Sequence, residues 1–247
     1  MTFERDVVPG VHRIEDAYAN WYLLEGDGGL TVVDAGLPAS WRSLQAALDE
    51  LGRDWGDLRA LVLTHGHYDH VGFAERLRRE HGVPVLCSEE DAWLARHPWS
   101  FRRERPIRHY LRYGRALPIV GAMMAAGAPV TRGVTEVRTF GDGEQLDVPG
   151  RPRVVATPGH TLGHVALHLP ERDAVIAGDA VVMLDPYTGR PGPRLVSRAA
   201  VADSRRNWAS LERLEALDAT TVLTGHGPPW REGAAAAVAQ ARRNGQR

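Results

Sequence analysis

The chain has 247 residues, with 30 basic and 31 acidic side chains, a formal net charge of −1, 43% hydrophobic and 25% charged residues. Every basic residue is an arginine, which excludes the chemistries that need a lysine, the phosphate-binding P-loop and Schiff-base formation. Near neutrality gives no electrostatic basis for nucleic-acid binding, and the one cysteine, Cys87, excludes an intrachain disulfide and a cysteine-only zinc site.

The first ten residues carry Glu4, Arg5 and Asp6 and no apolar leader, and no run of about 18 apolar residues follows. The expectation is a cytoplasmic protein with no membrane partner. Strands are expected at Val11–Glu15, Trp21–Glu25 and Leu30–Asp34, the last two joined by the turn Gly26-Asp27-Gly28-Gly29. Ser40 then reads as the N-cap of a helix with Leu44, Ala47, Leu48 and Leu51 at helical spacing, stopped by Gly52. Leu61–Leu63 reads as a buried strand, His70–Glu80 as a helix and Val83–Leu86 as another strand.

Between Asp91 and Gly127 only helical segments are expected, one opened by Pro106 with Ile107, Tyr110 and Leu111 on one face. Seven arginines and a single acid, Glu104, lie between Arg96 and Arg115. They read as a solvated face, or as a cap that offers arginines to an anionic substrate. Strands return at Val134–Phe140, Gln145–Val148, Arg153–Thr157, Val165–Leu169 and Ala174–Ala177. A loop rich in turn formers follows at Asp185–Pro193, then a helix at Ala199–Ala216, strand Thr221–Leu223 and a helix near Gly233–Arg243. The simplest partition is one domain over residues 1–247 with a helical cap inserted at about 91–127.

The chemistry concentrates in Thr64-His65-Gly66-His67-Tyr68-Asp69-His70, between an apolar strand and a helix. Residues two apart in extended chain point the same way, so His65 and His67 can grip one ion. Asp69 and His70, where the chain turns, can face a second. Imidazole with carboxylate suits zinc, iron or manganese. Three later segments offer what two ions still need, each just after an apolar strand: Pro158-Gly159-His160-Thr161, Gly178-Asp179 and Gly225-His226-Gly227.

Together with Leu30-Thr31-Val32-Val33-Asp34-Ala35-Gly36, these motifs resemble the metallo-β-lactamase-fold hydrolase superfamily, in its order, from about Val11 to Pro229. The resemblance implies an α+β fold, a four-layer αββα sandwich with the site at one edge of its two sheets. It implies that His65, His67 and His160 bind one metal, that Asp69, His70 and His226 bind the other, and that Asp179 bridges. Asp34 and His164 would support the ligands from behind. The implied cofactor is a pair of zinc ions per chain, with iron or manganese as the other metals these ligands suit. The implied activity is cleavage of a thioester, lactone or other ester by a hydroxide held between two metals, with Asp69 orienting the water or taking its proton. No G-x-S-x-G nucleophile is present.

Departures from particular relatives narrow the choice. The Asp179 position and the missing leader argue against antibiotic hydrolysis. His67 stands where flavodiiron proteins carry Glu. Only 21 residues follow His226, so the helical glutathione-gripping domain of glyoxalase II-type thioesterases is not expected. Val182 occupies the place of the tyrosine found in many homoserine-lactone lactonases, leaving Tyr68 and Tyr187 as candidate substrate contacts. The arginine cluster and the apolar run Leu117–Ala126 fit an anionic or amphiphilic acyl compound. The alternative activity is that of a persulfide dioxygenase, with one iron on His65, His160 and Asp179. The sequence does not indicate an oligomeric state.

Overall fold

The computed structural model describes residues 1–246. Strands β1 (Thr2–Val8), β2 (Val11–Asp16), β3 (Ala19–Gly26) and β4 (Gly29–Val33) form an antiparallel meander. Strands β5 (Leu58–Val62), β6 (Val85–Ser88) and β7 (Arg138–Phe140) then add in parallel, giving a seven-stranded sheet in sequence order. A second sheet has the order β13-β10-β9-β8, from β8 (Arg153–Ala156), β9 (Val165–Leu169), β10 (Ala174–Gly178) and β13 (Thr221–Thr224). A two-stranded ribbon, β11 (Val182–Asp185) with β12 (Arg190–Arg194), stands beside them.

Side-chain alternation explains the layering. On β3, Tyr22 and Leu24 face inward and pack with Val154, Val165, Leu167 and Ile176 of the second sheet. Trp21 and Leu23 face the other way, onto helices α1 (Trp41–Leu51) and α2 (Ala74–His81). Both faces of the strand are buried, so it reads as a continuous apolar run. The outer face of the second sheet is covered by α5 (Ser204–Glu215) and α6 (Ala234–Asn244), through Leu211, Leu214, Ala237 and Val238. Helix, sheet, sheet, helix is the expected αββα sandwich.

Between β6 and β7 run α3 (Ala92–Arg96), several short 3-10 turns and α4 (Leu117–Ala125), the inserted helical region. All seven arginines from Arg96 to Arg115 are exposed. The helix expected after Pro106 is only a 3-10 turn, Ile107–Tyr110. Of its apolar residues Tyr110 is buried, while Ile107 and Leu111 face solvent.

Other expectations are corrected for identifiable reasons. Gln145–Val148 is not a strand; Gln145 makes one isolated bridge to Arg153. Only Arg138–Phe140 of the expected strand from Val134 pairs, because Val134 N–H is taken by the Ala95 carbonyl and Thr135 N–H by the Glu75 carboxylate. Helix α2 begins at Ala74 rather than His70, since Gly72 and Phe73 donate to Gly36 and Ala35. Helix α5 begins at Ser204 rather than Ala199, capped by the Asp203 side chain on Arg206 N–H. Ser40 stands at the N-cap of α1, but its hydroxyl accepts from Leu37 N–H instead of from the helix. Strand β1 was not expected, nor was the ribbon whose second strand crosses Asp185–Pro193. Cys87 is buried and its thiol is pushed up to about 12 by desolvation, so it is inert.

Candidate metal centre

The ligand-bearing segments all leave the same edge of the sandwich. The loop 64–70 follows β5, His160 follows β8, Asp179 follows β10 and His226 follows β13. Strands β10 and β13 pair in parallel with Gly178 opposite Thr224, which brings Asp179 beside His226. Gly225 lies against this pair: a Cβ there would collide with Asp179 Oδ1 and stand 2.7 Å from Cε1 of His70. Gly178, at φ +50°, passes so close to His164 that a Cβ would be 2.7 Å from its Nε2.

His65, His67 and His160 form one buried triad, and Asp69, His70 and His226 a second, with donor atoms within 4.8 Å of one another in each. The rings of His65, His67 and His160 lie 4.6–4.8 Å apart. Asp179 stands between the triads. Its Oδ2 is 3.4 Å from His160 Nε2 and 3.3 Å from His226 Nε2, and its Oδ1 is 3.9 Å from His70 Nε2. Asp69 Oδ2 is 3.6 Å from His226 Nε2.

The residues behind the triads set the ring tautomers. Asp34, held at φ +61°, accepts the Thr64 N–H at 2.7 Å and the Thr64 hydroxyl at 2.8 Å. Its Oδ2 also lies 2.9 Å from His70 Nδ1, so that nitrogen carries the proton and Nε2 faces the centre. The Thr64 hydroxyl proton is spent on Asp34, so its oxygen accepts from His65 Nδ1 at 3.0 Å and leaves His65 Nε2 free. His226 Nδ1 donates to the Tyr18 carbonyl at 2.7 Å. These arrangements are the usual device for orienting ligating imidazoles. Asp34 also falls within 4.8 Å of His65 and His70 donor atoms, but its oxygens are already occupied by three donors. His164 accepts the Asp179 backbone N–H on Nε2 at 2.9 Å and bonds Thr157 through Nδ1, so both its nitrogens are used.

Charge follows from burial. Desolvation, reinforced by neighbouring rings, holds His65 and His67 well below the usual histidine range, and burial brings His160 down to about 4. These imidazoles are neutral at pH 7, the form that binds metals. Burial also opposes charge on His70, but Asp34, Asp179 and Asp69 outweigh it and bring the ring up to about 10. Burial would raise Asp179; the surrounding His226, His70 and His160 instead hold it well below the carboxylate range. Asp69 is raised, chiefly by burial.

The donor set fits a cation. Nε2 of His65 and Oδ1 of Asp179 are buried without a hydrogen-bond partner. One such atom costs about 1–3 kcal/mol, a cost that coordination to a cation would remove. Nδ1 of His67 and Nε2 of His160 face each other at 2.9 Å, as two ligands of one ion would.

Tyr68 stacks on Trp99, with centroids 4.1 Å apart and planes within 5°. Tyr68 and Tyr187 interact through their hydroxyls and both feel the Asp69 charge. Phe101 of the inserted region packs on the His67 ring at 4.4 Å. The other histidines lie elsewhere: His12 accepts from Asp6 N–H, and His81 stacks on Trp55.

Sequence reasoning missed Asp91. Its buried carboxylate accepts Gly66 N–H at 2.9 Å, Gly163 N–H at 2.8 Å and the Thr161 hydroxyl at 2.7 Å, tying the loop of His65 and His67 to the loop of His160. It also missed Asn20, whose amide donates to the Thr224 and Gly227 carbonyls on either side of His226, each at 2.7 Å.

Residues 14–226 match the model of the metallo-beta-lactamase superfamily. The chain is 25% identical over 240 residues to the "probable metallo-hydrolase YflN" of Bacillus subtilis, covering 91% of this chain and 86% of that protein. It is 31% identical over 217 residues to a hydroxyacylglutathione hydrolase of Ruegeria pomeroyi, covering 86% of this chain but only 63% of the relative. The crystal structure of the metallo-beta-lactamase family protein TTHA1429 from Thermus thermophilus superposes with a TM-score of 0.70 at 28% identity, over 96% of this chain and 80% of that one. With the motifs, the sandwich and the two triads in agreement, the chain belongs to the metallo-β-lactamase superfamily of metal-dependent hydrolases.

Proposed function

We infer that the protein hydrolyses a small acyl compound, a thioester, lactone or other ester, at a dinuclear zinc centre. The observation that carries this reading is the pair of complete, buried donor triads that meet at Asp179. His65, His67 and His160 would hold one ion, Asp69, His70 and His226 the other, and Asp179 both. When bound, such a pair makes a hydroxide nucleophile available near neutral pH and polarises a carbonyl oxygen. Asp69, beside His226 and raised by burial, holds the attacking water in line and takes up its proton. Burial keeps the Tyr68 and Tyr187 hydroxyls protonated and both feel the Asp69 charge, so either can donate a hydrogen bond to the departing oxygen or sulfur. The hydroxyacylglutathione hydrolase among the relatives supports an acyl substrate. No helix of the described residues is long and apolar enough to cross a membrane.

The test is metal content after expression with zinc and iron both supplied, followed by an ester, thioester and lactone panel. About two zinc ions per chain with turnover of a panel member is the expected result. About one iron per chain, with no hydrolysis, overturns the reading and turns the search to oxygen-dependent sulfur chemistry.

A further inference from the structure

A cavity of about 330 Å³ lies beside the metal centre, with His67 and His160 among its lining residues. Its remaining walls are mainly carbon: Trp93 and Leu94 from α3, Phe101, Leu162 and Ala202. Two of these expose apolar surface, Trp93 at 57% and Leu162 at 37%. The Phe101 ring lies on His67, so the apolar wall begins where the ligand shell ends. The charged side chains of the lining are Glu90 and Arg102, both exposed, and the buried Asp91, whose oxygens are taken by Gly66, Thr161 and Gly163.

We propose that this cavity is the acyl pocket, and that it takes the unbranched apolar chain of a medium-length acyl group whose carbonyl carbon lies at the metal centre. The proposal rests on the hydrolase reading for the identity of the occupant. Three observations choose the acyl chain over a polar leaving group. The cavity borders the centre at His67 and His160, so its occupant sits beside the reacting carbon. Of its polar side chains, Asp91 and Thr161 are bonded to each other, and Ser100, Glu90 and Arg102 are exposed. Its volume is at the small end of ligand sites, suited to a short chain and too small for a large polar carrier. The Tyr68–Tyr187 side, with its hydroxyls near Asp69, is then left for the departing group. Hydrolysis transfers the acyl group from that oxygen or sulfur to water, and the carboxylic acid product keeps its chain in the cavity until release.

The product carboxylates give a test that needs no turnover. Acetate, butanoate, hexanoate and octanoate are titrated into the zinc-loaded protein by calorimetry. Affinity is expected to rise with chain length, by up to roughly fourfold per added methylene where burial is complete, and then to level off. Trp93→Ala removes an exposed wall and is expected to flatten the rise while acetate binds as before. Ala202→Leu narrows the cavity and is expected to bring the plateau to a shorter chain. Equal affinity for acetate and octanoate overturns the proposal, as does a slope that both variants leave untouched. A rising slope without hydrolysis of any ester or thioester leaves the pocket standing and overturns the hydrolase reading alone. Hydrolysis with a flat slope does the reverse.

Discussion

His67 Nδ1 and His160 Nε2 face each other at 2.9 Å across the gap between the two sheets, both on rings that burial keeps neutral. Replacing either ring removes a donor that nothing nearby can supply. His67→Ala is expected to lower turnover by more than the 10–100-fold typical of outer-shell changes and to reduce bound metal in the same preparation. Plasma mass spectrometry and initial rates measured side by side check this. Unchanged specific activity would remove metal catalysis from this site.

Asp34 is a second point of leverage. Asp34→Ala orphans the Thr64 N–H and hydroxyl and frees His70 Nδ1, all buried. The expected loss is about 3–5 kcal/mol of stability, read from the denaturant midpoint. Metal affinity should fall roughly 10–100-fold, read by chelator competition.

Asp91→Ala is expected to act on two loops at once. Gly66 N–H, Gly163 N–H and the Thr161 hydroxyl lose their acceptor, at about 1–3 kcal/mol each if left unsatisfied. The metal held by His65, His67 and His160 should loosen more than the one held by Asp69, His70 and His226. Stepwise chelation with a chromophoric indicator separates the two.

Proton counting distinguishes the two half-sites. In the metal-free protein His70, at about 10, holds a proton at pH 7, whereas His160, at about 4, does not. A cation entering the His65–His67–His160 triad therefore displaces no proton at neutral pH, and its affinity is flat until the medium approaches pH 4. A cation entering the Asp69–His70–His226 triad displaces the His70 proton, and that of His226, which Asp179 and Asp69 also hold above the usual range against burial, so its affinity rises with pH up to about 10. Calorimetry in buffers of different ionisation heat measures the protons released; equal release at both steps would contradict this assignment.

The residues that the fold gathers into the two triads are legible in the sequence because each group follows a short apolar strand, so chemistry and edge position coincide at His65, His160, Asp179 and His226. The supporting residues are not. Asp91 follows Glu89 and Glu90 and reads as one more acid on a surface turn. Its partners lie 25, 70 and 72 residues away, and no spacing rule connects them. Strand β12 reads as loop in the sequence because Pro191, Gly192 and Pro193 are turn formers. A two-stranded ribbon tolerates them, since it asks for few backbone donors. Helix starts were set too early at α2 and α5 because the backbone donors just before them serve neighbouring loops: Ala202 and Asp203 donate to His160 and Gly159. Local periodicity carries no trace of such long-range bonds.

Each triad draws two donors from the seven-stranded sheet and one from the four-stranded sheet. A folding intermediate with both sheets formed but apart would own no complete triad. A cation would therefore act as a clasp, its binding energy appearing only once the two halves meet. Metal uptake during refolding would then time the closing of the sandwich, and the last event of assembly would also be the first moment at which the protein can work.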